Sequence, residues 1–488
     1  MPSSEIKIFL FYILIYFPIK CLTFPFNKPF LVFNNVTMQT TPSSAKFSFI
    51  ILTVLFFLWG LLTSLNDILV PHLKAVFDLK HWQAQLIQFF FFGAYFLMSI
   101  PAGYLIKKMG YKGGIVLGLT LMGFGCLTFY PASIVQEYSV FLLGLFILAS
   151  GITILQVAAN PYVAVLGPEN TAASRLNLAQ GFNSLGHTIA PLLGALLILQ
   201  NTDKVDVSTV RLPYVVMSII LFIIAFIFSR LSLPSIQVEE SDNKKDFSIW
   251  QYPQLYLGAI AIFCYVGSEI AVGSFMVEYL KQDSLLNLEM KTAGSYVAFY
   301  WGGAMVGRFM GAVSLSKQGD KNKLGLMILF PLIAFGVSWI ASTSYGADPI
   351  LSFGFLAVMI LNFVAFQFGK GIPSRLLSVF ALMNIILLVV TMNTQGQVAL
   401  WSILGIGLFN SIMWSNIFTL AIEKLGAYTS VGSSVLIMMI AGGAIIPPLQ
   451  GLFADIPSVG VKYSFLIPAI AYAYLVFYGI RMKKLGEN

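Results

Sequence analysis

Charged side chains are scarce in this chain of 488 residues, because Asp, Glu, Lys and Arg together make up only 10% of it. A soluble domain carries about a quarter charged residues. Hydrophobic residues make up 58% of the chain and its mean hydropathy is +0.85. Such a composition cannot cover a folded chain with a polar surface, so it predicts a membrane protein whose main partner is the lipid bilayer. Nothing in the sequence indicates an obligate protein partner.

Cysteine and histidine are rarer still, with three of each. Cys21, Cys126 and Cys264 lie in apolar surroundings and have neither the spacing of metal ligands nor that of a disulfide framework. The histidines form no catalytic or metal-binding spacing, and the sequence has no P-loop and no Gly-x-Ser-x-Gly in a suitable context. We therefore expect no enzyme, no metal site and no cofactor. The net charge of +8 does not indicate nucleic-acid binding. We interpret it from the positions of the Lys and Arg residues relative to the membrane.

Long apolar runs are what the sequence has instead, and each approaches the roughly 20 residues that a membrane-spanning helix needs. The runs lie near 47–70, 84–106, 113–131, 139–166, 175–200, 211–232, 253–280, 291–314, 322–343, 349–368, 375–393, 398–423, 430–454 and 463–482. If the segment before the first run lies in the cytoplasm and each run crosses the membrane, the connections alternate between the two sides. Seventeen Lys and Arg residues then lie on the cytoplasmic side and seven on the other. Lys and Arg favour cytoplasmic loops, so we predict about fourteen helices with both termini in the cytoplasm.

Hydrophilic breaks divide the chain. We expect residues 1–46 to be an N-terminal extension without a functional role. Its apolar stretch "KIFLFYILIYFPIKCLTF" resembles a signal-peptide core more than a membrane span, and Met38 opens a better beginning for a membrane protein. A bundle over 47–232 is followed by a charged cytoplasmic linker at 233–252, which lacks apolar periodicity. A second bundle then covers 253–482, and a cytoplasmic tail covers 483–488.

The second bundle resembles a copy of the first. Lys74 and Lys281 are 207 residues apart, whereas Asn160 and Asn416 are 256 apart, an offset that Gly151 and Pro191 share with their counterparts. Gly110 and Lys112 match Gly319 and Lys321 at an offset of 209. Between these matches and those at 256 the offset jumps by about 47 residues, which is the length of two helices. The pattern predicts two six-helix halves, with an inserted two-helix hairpin at about 322–369 in the second.

Two acids lie where a charge is expensive. Asp67 ends a charge-free run that begins at Phe47, and Glu269 is well inside its predicted span. A carboxylate at the bilayer centre costs about 2.5–3.5 kcal/mol on insertion scales. Both acids are candidates for proton coupling, because a carboxyl group withdrawn from water can take up and release a proton. The alternative for Asp67 is a position at the membrane rim.

Amide side chains repeat on the predicted helix faces. Gln156 and Asn160, for example, are four residues apart and share one face. Amides donate and accept hydrogen bonds, which suits sugar hydroxyls, although they also join packed helices. The candidates for substrate binding from this pattern are Gln156, Asn160, Gln180, Asn183, Asn410 and Asn416.

Basic residues near the cytoplasmic ends of spans are candidates for gate or structural contacts. Lys107 and Lys108 lie in "GYLIKKMGYK", which we expect to be the loop between the second and third spans, and Arg308 ends the eighth span. For Arg308 an anchoring role or a gate pair is the simplest interpretation.

Four stretches, "FFLWGLLTSLNDILVPHLK", "LQVAANPYVAVLGPE", "RLNLAQGFNS" and "GLFNSIMWSNIFTLAIEKLG", resemble the fucose–galactose–glucose:proton symporters of the major facilitator superfamily. The resemblance covers about residues 50–480 except the hairpin. It implies two halves that rock around a midplane site and sugar uptake coupled to protons. It also implies that Asp67, with Asn66 beside it, is a coupling or sugar-binding acid, and that Gln180 faces the sugar.

The sequence departs from the family pattern at two positions that matter. Fucose permeases carry glutamate where this chain has Gln156, which looks more like the glucose/galactose branch, and the hairpin resembles that of some homologues from Bacteroidetes-like bacteria. Lys107 stands where the superfamily loop usually has an acid. We expect a proton-coupled hexose importer of a bacterial inner membrane. Sodium coupling and proton-driven export of another solute are the alternatives.

Overall fold

The computed structural model describes residues 36–37, 42–79, 81–197, 207–231, 237–238, 248–282, 290–317, 319–344 and 351–486. Almost all of them are helical, as expected for a chain in lipid, where a helix satisfies its backbone hydrogen bonds internally. The predicted all-helical class is thus confirmed for this part of the chain. Most of the predicted N-terminal extension and of the linker lies outside the described residues.

The first half consists of five helical elements. They are α1 (Pro42–Val76), α2 (His81–Val135), α3 (Tyr138–Val165), α4 (Ala172–Leu197) and α5 (Arg211–Arg230). In the core of this half α2 packs along α3 and α5, and α1 packs along α4. A turn of 3-10 helix, Glu169–Thr171, joins α3 to α4.

The second half contains more elements, because several of its membrane helices are broken. They are α6 (Pro253–Leu280), α7 (Met290–Ser314), α8 (Asp320–Ser344), α9 (Leu351–Gly369), α10 (Pro373–Asn393), α11 (Gly396–Asn410), α12 (Met413–Ile422), α13 (Thr429–Met438), α14 (Gly442–Ala454), α15 (Gly460–Ser464) and α16 (Leu466–Gly486). The interruption between α11 and α12, at Ser411 and Ile412, lies beside the site described below. Short strands β1 (Val36–Thr37) and β2 (Gln237–Val238) pair antiparallel and join the segment before α1 to the one after α5.

The sequence predicts a loop within α2, and the structure makes this connection with one residue. Gly110 has φ 77° and ψ 170°, outside the helical region, so the 55 residues of α2 form two helices that meet there. A residue other than glycine rarely adopts this backbone conformation. Lys107 and Lys108 therefore lie on the last turn of a helix, where both are exposed.

Nine helical segments within the described ranges are long and apolar enough to cross a membrane. One of them, Phe89–Val135, is 47 residues long and contains the Gly110 turn. Two shorter apolar helices, Asn322–Gly336 and Phe353–Gly369, lie where the hairpin is predicted. The polytopic membrane architecture is confirmed, whereas the count of fourteen spans stays a prediction.

The two halves meet along α4 with α7 and along α13 with α2 and α3. Many of the contacts lie toward the end of the bundle that holds the connections 166–171 and 423–428, which we call the closed end. There Ser174 donates to the backbone carbonyl of Ala312 at 2.5 Å, and the Lys107 ammonium lies 5.8 Å from the ring centre of Tyr428. Further in, Ser433 donates to the carbonyl of Val157 at 3.0 Å.

Candidate functional site between the two halves

A buried carboxylate in the second half forms the centre of the site. Glu269 lies in the middle of α6 and is 8% exposed. Its Oε1 accepts a hydrogen bond from the Tyr265 hydroxyl at 2.7 Å, one turn earlier on the same helix. The Arg308 guanidinium of α7 lies 3.8 Å from the same oxygen. A charge in this environment needs such partners, because burying it unpaired is expensive.

Arg308 connects this carboxylate to the first half of the molecule. Its Nη1 donates to the Ser184 hydroxyl of α4 and lies 3.5 Å from the backbone carbonyl of Gln180. Its Nε donates to the Ser411 carbonyl at 3.3 Å, in the interruption between α11 and α12. One guanidinium thus contacts α6, α4 and the broken helix at once, which its five fixed donors permit.

A second chain of hydrogen bonds reaches Glu269 through its backbone. The Tyr300 hydroxyl donates to the Glu269 carbonyl at 2.9 Å and accepts from Asn410 Nδ2 at 2.8 Å. The Asn410 Oδ1 in turn accepts from Tyr472 at 2.7 Å and from Asn384 Nδ2 at 2.8 Å. Every member of this chain is buried. We refer to Tyr265, Glu269, Tyr300, Arg308 and Asn410 as the second lobe.

Amides that the sequence singled out form a smaller cluster in the first half. Gln156 Nε2 donates to the Tyr95 hydroxyl at 2.8 Å, and Asn160 Nδ2 donates to the Gln156 carbonyl at 3.0 Å. Gln180 Nε2 lies 3.4 Å from Asn160 Oδ1. These four residues, Tyr95, Gln156, Asn160 and Gln180, are the first lobe. Because the Gln180 carbonyl faces Arg308, the two lobes are continuous.

Two other predicted amides have different surroundings. Asn183 Nδ2 donates to the Phe56 carbonyl at 3.0 Å and so joins α4 to α1. Asn416 Nδ2 donates to the Pro373 carbonyl at 3.2 Å, and its Oδ1 lies 3.5 Å from Asn177 Nδ2. Asn416 therefore lies between α4, α10 and α12 toward the closed end, and not in the second lobe.

Asn66 and Asp67 lie within α1, and their side chains are outside the described part of the structure. Arg308, assigned from sequence to a gate or an anchor, is brought to Glu269 by the fold. Six side chains of the site were missed by sequence reasoning, namely Tyr95, Ser184, Tyr265, Tyr300, Asn384 and Tyr472. Two of them had a local signal, since Tyr265 precedes Glu269 by four residues and Ser184 follows Gln180 by four, so each shares a helix face with a predicted residue. Within the described residues no group of His, Cys, Asp and Glu could hold a metal ion.

The arrangement gathers hydrogen-bonding groups of the kind that a polar solute needs, and its contact between the two halves depends on the charge of Glu269. Amides and tyrosine hydroxyls from both halves offer donors and acceptors in one buried region. Arg308 bonds to both halves and to Glu269, so a change in the charge of Glu269 alters a contact across the interface. A device that couples an ion to rearrangement of two halves needs such a connection.

Comparisons with known proteins agree with this architecture. Residues 48–369 match the family model described as Major Facilitator Superfamily. The chain is 44% identical over 455 residues to a glucose/galactose transporter of Brucella abortus, covering 92% of this chain and 97% of that protein. It is 32% identical over 471 residues to the L-fucose-proton symporter of Escherichia coli, covering 90% and 94%.

A solved structure of the major facilitator transporter FucP, the E. coli fucose:proton symporter, in the outward conformation aligns with a TM-score of 0.72. The identity is 30%, and the alignment covers 90% of this chain and 99% of that one. The chain belongs to the major facilitator superfamily, in the family that includes the glucose/galactose transporters and the L-fucose-proton symporters.

Proposed function

We propose that this protein imports a hexose, glucose or galactose first, together with a proton, by alternating access in a bacterial inner membrane. Its relatives carry the names of sugar transporters and of a proton symporter. Family membership confirms that the chain is a transporter and not an enzyme. No cofactor beyond the coupling ion belongs to this proposal.

The observation that carries the proposal is the contact of one arginine with a buried acid and with the opposite half. Arg308 lies 3.8 Å from Glu269 Oε1 and donates to Ser184 of the first half. Protonation of Glu269 would remove the negative charge that attracts the Arg308 guanidinium, and the contact of Arg308 with Ser184 of the first half would change with it. The amides of the first lobe would then meet the sugar hydroxyls from the other side of the site.

The orientation follows from the same proposal. With the closed end in the cytoplasm, Lys107, Lys108 and Lys424 lie on the cytoplasmic side, as the Lys/Arg bias of short loops requires. The contacts at that end then make this an outward-facing state. Fourteen spans, with α8 and α9 as the inserted hairpin, complete the topology.

The experiment that tests the function is measurement of external pH in weakly buffered, de-energised cells that express the protein. D-glucose, D-galactose, L-fucose and D-mannose are added in turn. We expect alkalinisation with glucose or galactose, because a symporter carries protons inward with its sugar. The Asp67→Asn variant should bind or exchange the sugar without the pH change, if Asp67 is a coupling acid.

A second measurement separates the alternatives. Labelled sugar is supplied with and without an inward sodium gradient at constant pH. Sugar uptake that depends on the sodium gradient and causes no alkalinisation would identify Na⁺, and not the proton, as the coupling ion. Absence of both signals with every sugar would contradict hexose import and leave export of another solute on the same fold.

A further inference from the structure

The helix α9 packs one face against the broken helix of the second half. Gly354 of α9 leaves no space for a Cβ against Trp401, and a Cβ on Gly405 of α11 would lie 2.7 Å from Val358. Val358 and Asn362 are four residues apart, so they lie on the same face. The opposite face exposes apolar side chains such as Ile360 and Phe368, as a lipid-facing surface does.

Asn362 is the polar residue on this buried face. It is 0% exposed, and its Nδ2 lies 3.3 Å from the Leu408 carbonyl of α11. Its Oδ1 has no hydrogen-bond partner among the described residues. A buried acceptor without a partner is unfavourable, and a leucine of similar size would avoid this loss. The hydrogen bond that Asn362 Nδ2 donates to Leu408 is therefore the best explanation for an asparagine at this position.

The Leu408 carbonyl lies where α11 ends. The last carbonyls of a helix have no partner within it, and this one also accepts from the Ser411 hydroxyl at 2.6 Å. Two and three residues further along the chain, Asn410 Nδ2 donates to the Tyr300 hydroxyl and the Ser411 carbonyl accepts from Arg308 Nε. Tyr300 and Arg308 both contact Glu269, so the position of the α11 end sets the geometry of the second lobe.

The other helix of the predicted hairpin, α8, packs on α7, the helix that carries Arg308. The Phe330 ring of α8 stacks on Phe309 of α7, with ring centres 5.6 Å apart. Phe309 directly follows Arg308 in the chain and contacts Phe182 of α4 edge-on at 5.9 Å. The helices α8 and α9 thus pack against the two elements, α7 and α11, that supply Arg308 and Asn410.

We propose that α8 and α9 brace the coupling site, and that Asn362 is a positioning residue that fixes the end of α11 through the Leu408 carbonyl. The consequence for transport rests on the proposed function, whereas the brace itself does not. Asn362 contacts neither sugar nor proton in this role. It acts through Asn410 and Ser411.

The test compares Asn362→Leu with Asn393→Leu in full-length purified protein. Asn393 is exposed and bonds to the Val389 carbonyl within its own helix at 2.7 Å, so it controls for the same chemical change. Hydrogen–deuterium exchange of the peptide covering 405–416 reports the brace directly. We expect exchange there to rise about tenfold in Asn362→Leu, from the usual worth of one hydrogen bond, and to stay unchanged in Asn393→Leu.

An isosteric variant keeps the test valid if the leucine variant does not fold. In Asn362→Asp a neutral carboxyl can donate to Leu408, whereas the carboxylate cannot. Exchange relative to wild type at the same pH should therefore be near normal in acid and rise with pH. A flat ratio for this variant, or a leucine variant that exchanges like wild type, would overturn the brace.

Sugar counterflow separates this inference from the proposed function. If wild type exchanges a hexose, Asn362→Leu should lower the maximal rate about tenfold with little change in KM, because the sugar contacts are retained. Normal counterflow beside raised exchange would contradict the link from the brace to the site. If wild type exchanges no hexose, the proposed function fails and the exchange experiment still decides the brace.

Discussion

At the scale of single residues, Glu269 is the side chain on which coupling depends most directly. Replacing it by glutamine keeps the shape but leaves Arg308 without its counter-charge, and one unpaired buried charge costs about 3–5 kcal/mol. We expect Glu269→Gln to lose uphill accumulation, with the inside-to-outside ratio of labelled sugar falling toward unity, while exchange of sugar persists. Accumulation in energised cells and counterflow in de-energised cells measure the two properties.

A glutamate on the same helix provides the control for this prediction. Glu278 is exposed and pairs with Lys281 one turn later at 3.5 Å, so Glu278→Gln removes a similar pair at the surface. Exposed pairs contribute little, and this variant should accumulate sugar like wild type. Full accumulation by Glu269→Gln would remove that residue from the coupling mechanism.

The sequence located the acid and several amides but not the partners that give them their roles. Glu269 and Gln156 stand out because polar groups are costly in an apolar span. Arg308 lies 39 positions after Glu269 in the chain, and their distance depends on how α6 and α7 cross. Tyr300 and Asn384 were also missed, because their partners lie on other helices. Tyrosine and asparagine occur in membrane helices for packing alone, so the residue types gave no signal either.

At the scale of elements, close approach of α1 and α4 depends on glycine. A Cβ built on Gly60 would overlap the Asn183 carbonyl, and one on Gly186 would overlap the Phe57 carbonyl. Small residues permit such approach of helices in membranes. We expect Gly60→Ala to lower the free energy of unfolding by about 1–3 kcal/mol, the usual cost of overpacking, and to lower the thermal midpoint of the purified protein.

The matched control is Gly302→Ala in α7, where a Cβ meets nothing within 4 Å. Alanine favours a helix over glycine by up to about 1 kcal/mol, and this gain applies to both variants. The difference between their midpoints therefore isolates the overlap with α4. Equal thermal midpoints would show that α1 and α4 can move apart to admit the Cβ without loss of stability.

Apolar patterning identified most helices, because a bilayer leaves the backbone little choice. The breaks were harder to foresee. The Gly110 turn is one residue where a loop was expected, and the interruption at Ser411 and Ile412 has neither proline nor glycine. It is stabilised from outside by Arg308 and Asn362, which local sequence does not reveal.

At the scale of the whole molecule, the internal duplication and the charged linker predicted two halves, and the Lys/Arg bias predicted which side of the membrane the connections face. The sequence did not indicate at which end of the bundle the two halves contact each other. That depends on contacts between residues far apart in the chain, such as Asn177 with Asn416. The closed end also gathers charge from both halves, and this has a consequence for its response to pH.

Glu169, in the 3-10 turn between α3 and α4, lies near Glu423 and Lys424 of the other half. The surrounding protein and then the like charge of Glu423 raise the pKa of Glu169 above its ordinary value, while Lys424 opposes the rise. A carboxyl group with a raised pKa binds its proton more tightly in the closed contact than when the halves separate. The contact is therefore favoured below the ordinary pKa and weakened as pH rises through the raised one.

We expect the closed population of wild type to fall about twofold relative to the open one as pH rises through this range, in keeping with the small energies of exposed charges. Spin labels on exposed Lys108 and Lys370, in a background without the three cysteines, would report the distance between the halves by double electron–electron resonance. Glu169→Gln should remove this step, because glutamine does not titrate. Glu137→Gln, at the exposed start of α3 on the opposite end, should keep it. If both variants keep the step, the pH response belongs to another group, and Glu169 only lies beside the gate.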